Sequence, residues 1–285
     1  MAITLREVVK KVQDLPALPQ ITTRVLELIN DPDSTPEDVG NLINQDQSLT
    51  AKVLRLANSA YYGFPRRIST VTEATILLGF NTVRSLVMAA SVSSLMGGEL
   101  KGYALDAGEL WRHSMAAAMA ARLLALKSGQ RRLADQAFVG GLLHDIGKVI
   151  LDHYTGEAYR EIVTLTGKEK IPFMDAETRV LGFNHATVGG LVIDRWNLPP
   201  QLVDAVKHHH SPGRAEHDRT LVCLVHLADA VCLMMGMSLG SDGLLYPVDV
   251  DALGTLGIGQ REIEETISQL SDSFLDDNPF LQGNQ

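Results

Sequence analysis

Residues 140–151 read GGLLHDIGKVIL, a run of small and apolar residues interrupted by His144-Asp145 and then by Lys148. Burying a carboxylate without a partner costs on the order of several kcal/mol, so an aspartate in such a run is ion-paired, hydrogen-bonded or bound to a metal. On a helix, Lys148 falls four residues after His144 and three after Asp145, which puts all three on one side. Two readings follow. In one, Lys148 neutralises Asp145 and His144 is a satisfied core histidine; in the other, the pair is the nucleus of a metal site.

The surrounding chain is patterned for helices. N-terminal to the stretch, residues 3–14 form a short amphipathic segment that ends at Leu15-Pro16-Ala17-Leu18-Pro19, because proline pushes the preceding residue out of helical geometry. Ile21, Val25, Leu28 and Ile29 keep helical spacing up to Asn30-Asp31-Pro32. Thr35 is placed to cap the next helix, with Pro36 at its first position and Glu37 and Asp38 in its first turn. A helix from Ser48 to about Asn58, the aromatic turn Tyr61-Tyr62-Gly63-Phe64-Pro65, and helices over 71–78 and 82–96 around Gly79 complete residues 1–98. The aromatic turn is either core or a partner-binding patch.

A second domain is expected over 99–285. Asp106 and Glu109 have the spacing of a capping box, which starts a helix through Trp111, Met115, Met119, Leu123 and Leu126. After the central stretch, Gly156 and Gly167 punctuate the chain, Glu177–Trp196 is helical with Asn184 as a cap, and Pro199-Pro200 opens a helix ending in His208-His209-His210. Leu221–Met235 is the next strong helix, Gly236–Tyr246 reads as loop, and 261–274 as a terminal amphipathic helix. No sustained alternation of polar and apolar residues appears, so the fold class is all-α.

Composition bounds the function. Apolar content of 45% and charged content of 21% describe a folded chain, and a net charge of −9 argues against a broad nucleic-acid surface. The paired helices over 35–58 offer only Lys52 and Arg55 to a duplex, too few for a DNA-reading helix. No apolar run is long and uninterrupted enough for a membrane span. Cys223 and Cys232 fall about two and a half helical turns apart, on different faces, and should not pair. With no signal-peptide pattern, this predicts a reducing cytoplasm.

The decisive feature is a constellation. His113, His144-Asp145, His185, His209-His210 and Asp229 bring imidazole or carboxylate from five separate segments. Nitrogen and oxygen donors in this mixture suit one or two divalent ions such as iron, manganese, nickel or zinc, and an aspartate between two metals can bridge them. The separations are too long for a zinc finger, so folding must assemble the site.

This order resembles the HD superfamily of metal-dependent phosphohydrolases, and the local phrasing is similar to the HDOD proteins, the HD-related output domains of bacterial signalling. The resemblance rests on LPALPQITTRVLELI (15–29), LRLANSAYYG (54–63), ATILLGFNTVRSLV (74–87), LWRHS (110–114), FVGGLLHDIGK (138–148), FNHATVGG (183–190), WNLP (196–199) and HHHSP (208–212). It implies an N-terminal helical subdomain packed on a helical bundle, and a signalling protein partner. It also implies metal ligation by His113, His144, Asp145, His185, His209, His210 and Asp229, with Asp145 bridging.

Where activity is retained, the resemblance implies metal-assisted hydrolysis of a phosphoester or nucleotide ligand, with Asp145 and Lys148 as the catalytic pair. Lys148 matches a lysine near the substrate phosphate in the HD-GYP subgroup, which degrades cyclic di-GMP. That subgroup's acidic residue and Gly-Tyr-Pro are replaced here by Ser211-Pro212-Gly213-Arg214, leaving cyclic di-GMP hydrolysis without its motif. The competing expectation is a non-enzymatic interaction or sensory module with a structural metal or nucleotide pocket. Sequence alone does not settle which of the three adjacent histidines face inward; counting back from Ser211-Pro212 selects His209 and His210. Glu109 is either a further ligand or a helix cap, and Lys207 and Arg214 are either phosphate contacts or solvated charges.

Overall fold

Local capping chemistry sets most helix boundaries. In the computed structural model, which describes residues 5–14, 17–237 and 247–275, α1 (Leu5–Asp14) and α2 (Gln20–Asn30) are followed by α3 (Pro36–Ile43). Thr35 caps α3 reciprocally: its Oγ1 accepts from the Asp38 amide, and Asp38 Oδ2 accepts from the Thr35 amide at 2.9 Å. α4 (Gln47–Ala57) starts one residue earlier than its pattern predicts because the Asp46 carboxylate accepts from the Leu49 amide at 2.9 Å. α5 (Val71–Leu78) and α6 (Phe80–Met96) hinge at Gly79, whose φ of 83° favours glycine.

The second half contains α7 (Glu109–Lys127), α8 (Ala134–Leu143), α9 (Ile146–Glu169), α10 (Phe173–Leu181) and α11 (His185–Arg195). α12 (Pro200–His208), α13 (Arg219–Met234), α14 (Val250–Leu256) and α15 (Gln260–Leu275) complete it. The described residues contain no strand, only an isolated bridge between Leu100 and Leu105. None of their helices is long and apolar enough to cross a membrane. Cys223 and Cys232 are buried and free.

Three local expectations change. Half of the capping box forms, with Glu109 accepting from the Asp106 amide at 2.8 Å, but Gly108 takes the cap position in left-handed geometry and the helix starts at Glu109. Gly156 and Gly167 do not break the chain; both lie inside α9, whose packing on α10 and α11 offsets the roughly 1 kcal/mol that each glycine costs a helix. His144-Asp145 is not mid-helix. The pair forms the junction of α8 and α9, with Asp145 at φ −99°, ψ 8°. Residues 3–4 of the N-terminal segment, Leu15-Pro16, and residues 238–246 of the C-terminal loop lie outside the described residues.

Helices α2 to α6 pack on one another, and α6 continues onto α7, α8 and α9. The turn at Tyr61, Tyr62 and Phe64 packs partly buried against the core, in agreement with the core alternative. α7, α8 and α13 form the centre of the second half, flanked by α9, α11 and α12; α1 packs on α9 and α11. Close approach depends on glycines. A Cβ at Gly141 would stand 2.6 Å from the Ala117 carbonyl oxygen on α7, and one at Gly147 only 2.0 Å from the His185 carbonyl oxygen on α11. These two contacts bring the α8–α9 junction against His113 and His185.

Candidate metal centre

Each histidine at the junction is fixed through its Nδ1. His113 on α7 is 3.1 Å from the Met237 carbonyl oxygen, His144 is 2.7 Å from that of Gly141, and His209 is 2.7 Å from that of Val206. His185, the first residue of α11, directs Nδ1 to Glu177 Oε2 at 2.6 Å. Carbonyls and carboxylates only accept, so each of these Nδ1 atoms carries the proton and each Nε2 is left to face inward. Metal-binding histidines show this arrangement, because the bond behind the ring fixes both its tautomer and its direction.

The inward atoms form two groups around Asp145. Its Oδ2 lies 3.3 Å from His144 Nε2 and 3.8 Å from His113 Nε2, while Asp229 Oδ1 lies 3.0 Å from His113 Nε2 and 3.7 Å from His144 Nε2. Asp145 Oδ1 faces the other way, 3.5 Å from His185 Nε2, which is itself 2.9 Å from His210 Nε2. His209 completes that side, with donor atoms of His185, His209 and His210 all within 4.8 Å of one another. A third such group, His144, Asp145 and His209, joins the two.

His208 turns away and lies 3.7 Å from Asp204. Glu109 stays at its helix start, 3.9 Å from Arg112. Lys207 and Arg214 are exposed, the former 3.9 Å from Glu216.

Electrostatics separates the two groups. Burial opposes charge on His144, but Asp145 and Asp229 overcome it and push its pKa up to about 10. Against burial, His144 and Lys148 hold Asp145 well below the ordinary carboxylate range, and His113 and His144 do the same for Asp229. Burial, reinforced by neighbouring imidazoles, keeps His209 and His210 neutral, well below an ordinary histidine. Lys148, 1% exposed, closes the side of Asp145 with Nζ 2.7 Å from Oδ2 and lies 5.8 Å from the centre of the Tyr103 ring.

These residues fit a divalent metal. His209 Nε2 is buried without a hydrogen-bond partner among the described residues, and the 3.3 Å contact between His113 Nε2 and His144 Nε2 sets two nitrogen lone pairs against each other unless a proton or cation lies between them. Neutral His209 and His210 and ionised Asp145 and Asp229 are in the donor forms that iron, manganese, nickel or zinc require, and His144 would give up its Nε2 proton as the ion binds.

Two supporting groups carry no mark in the motif pattern. Glu177 is fully buried and takes the Tyr103 hydroxyl on Oε1 at 2.6 Å as well as His185 on Oε2. The available signal was its position next to the buried face of α10 formed by Phe173 and Ala176. His226 on α13 donates from Nδ1 to the His209 carbonyl oxygen at 2.7 Å and accepts the Asp249 amide on Nε2 at 2.9 Å, which holds the backbone of the histidine run in place.

The family model for the HDOD domain matches residues 15–212, a span that contains every histidine of the centre but ends before Asp229. An HDOD domain protein of unknown function from Geobacter sulfurreducens is 29% identical, with a TM-score of 0.74 and 96% of each chain covered. A protein of Shewanella amazonensis SB2B, provisionally named a phosphohydrolase, is 25% identical, with a TM-score of 0.64 over 92% of this chain and 97% of that one. An uncharacterized protein of Treponema pallidum (strain Nichols) is 26% identical over 220 residues; the chain spans 42% of that relative's length.

Proposed function

Because the chain belongs to the HDOD domain family, we propose that it is a bacterial signalling protein that holds one or two divalent metal ions and uses them to hydrolyse a phosphoester. The observation that carries this reading is the orientation of the imidazoles: with their Nδ1 protons committed to backbone or Glu177, their Nε2 atoms face opposite edges of Asp145. His113, His144 and Asp229 would hold one ion and His185, His209 and His210 the other, with Asp145 between them. Bound there, a divalent ion supplies Lewis acidity, which withdraws charge from phosphoryl oxygens and lowers the pKa of water.

The chain's own residues do the rest. Glu177 orients His185 and Gly141 orients His144, so the donors need no reorganisation. Lys148 keeps Asp145 ionised and, in this reading, offsets negative charge on the substrate phosphate. Residues 1–98 form the subdomain that couples the centre to a signalling protein partner, and 99–285 the subdomain that carries it; this assignment rests on family analogy. The buried, free cysteines support a reducing cytoplasm.

A second reading has its own support. His113, His144, Asp145, Lys148 and His185 are all 2% exposed or less, which suits a structural or sensory metal better than rapid substrate exchange. Metal analysis of the purified chain, followed by assays on a generic phosphodiester and on cyclic dinucleotides with manganese or iron, separates the two. Turnover that Asp145→Asn abolishes supports the enzyme. Stoichiometric metal without turnover supports the sensor, and absence of metal overturns both.

A further inference from the structure

A cavity of about 430 Å³ lies away from the metal centre, between α2 and α6 on one side and the start of α8, the end of α11 and the start of α12 on the other. None of the candidate metal ligands lines it. Its size falls within the roughly 300–1,000 Å³ typical of small-molecule sites.

Three arginines line this one cavity, Arg84, Arg132 and Arg195, in a chain whose net charge is −9. Arg84 donates from Nη2 to Asn30 Oδ1 at 2.7 Å, and its Nε is buried with no acceptor among the described residues. Arg132 and Arg195 are exposed and pair with no carboxylate among the described residues. Of the two acids on the wall, Asp135 is engaged by Arg122 Nε at 3.5 Å and Thr82 Oγ1 at 3.4 Å, and Glu27 is exposed at the rim. Unspent donors of the planar guanidinium fork match oxyanions such as phosphate, two of whose oxygens can take parallel N–H bonds.

The rest of the wall mixes neutral polar side chains such as Asn81, Ser85 and Gln136 with an apolar part. Trp196, 8% exposed, lines the cavity with Leu198 and Met88, and Asn197 between them takes a left-handed turn at φ 53° that presents both neighbours. Cationic donors beside an indole and aliphatic side chains suit a phosphate carried on a heterocyclic ring. We infer that this cavity is a second ligand site, for an anion of the nucleotide class.

Its location gives such a ligand a route to the centre. α8 carries Val139 at the cavity and leads into His144; α11 begins at His185 and ends at Arg195; α12 carries Leu202 at the cavity and leads into His209. Separations of five to ten residues amount to about 8–15 Å along a helix. The inference stands apart from the metal reading, so it is tested on metal-stripped protein.

Isothermal titration of the full, chelator-treated chain with AMP, GMP, CMP and pyrophosphate is the experiment. The expected result is one site per chain and at least tenfold tighter binding of a nucleotide than of pyrophosphate. Combined Arg132→Glu and Arg195→Glu substitution, at exposed positions that leave the thermal melt unchanged, should weaken binding at least tenfold, and His210→Ala should leave it unaltered. No heat with any nucleotide overturns the inference. Equal binding of pyrophosphate removes the ring from it, and loss in His210→Ala with the double variant unaffected moves the nucleotide to the metal centre.

Discussion

Glu177 and His185, eight residues apart, meet through a 2.6 Å bond between Oε2 and Nδ1 inside a fully buried environment, and the same carboxylate accepts from Tyr103. A carboxylate behind an imidazole fixes the ring and raises its basicity. Glu177→Gln keeps the shape and an acceptor but removes the charge. Metal affinity measured by chelator competition should therefore fall about tenfold or more. Unchanged affinity would remove Glu177 from the working parts of the centre.

Gly147 is where α9 and α11 touch. A methyl group there meets the His185 carbonyl oxygen at 2.0 Å and the Gly189 amide nitrogen at 2.6 Å, both backbone atoms that cannot swing aside. Gly147→Ala should lower stability in urea by about 1–3 kcal/mol, as overpacking does, and reduce bound metal by separating Asp145 from His185. Gly167, in the same helix, is the control: an added Cβ there would meet no neighbouring element within 4 Å among the described residues. Gly167→Ala should raise stability by roughly 0.5–1 kcal/mol.

Lys148 is one of the two cations, with protonated His144, that neighbour Asp145 when no metal is present. Lys148→Met leaves a buried carboxylate short of a cation, a change that costs about 3–5 kcal/mol in comparable buried pairs. The melting temperature of the metal-free variant should drop well below that of the parent. Added manganese or zinc should restore more of the difference than it adds to the parent, because the ion replaces part of the missing charge.

Glu265 ties α15 to α7 by accepting from Lys127 at 2.9 Å and from Arg261 at 2.8 Å, and these partners lower its pKa from 4.5 to about 2. A depressed carboxylate contributes stability above its unfolded pKa and loses it as pH falls through the folded value. The contribution is thus whole above pH 4.5 and gone below about 2. Glu265→Gln should flatten the acid limb of the melting curve between those limits. Salt should shrink the effect in the parent, since the pair is partly exposed.

Helix boundaries were largely readable because their causes are local. Thr35 with Pro36 and Asp38, Asn184 ahead of Thr187, and Gly79 between two apolar runs each act within a few residues. Gly156 and Gly167 were misread for the opposite reason: the packing that keeps α9 continuous comes from α10 and α11, which no window of sequence around either glycine contains.

By itself, the sequence determined that the chain is helical, that buried imidazoles and carboxylates had to be reconciled with an apolar interior, and which segments supply them. Only the tertiary structure decided that His144-Asp145 lies at a helix junction, that Asp145 presents its two oxygens to different histidine groups, and that Glu177 stands behind His185. The physical reason is range. Propensity, capping and periodicity act over a turn or two of chain, whereas the direction of an imidazole is set by whichever distant carbonyl or carboxylate folding places against its Nδ1.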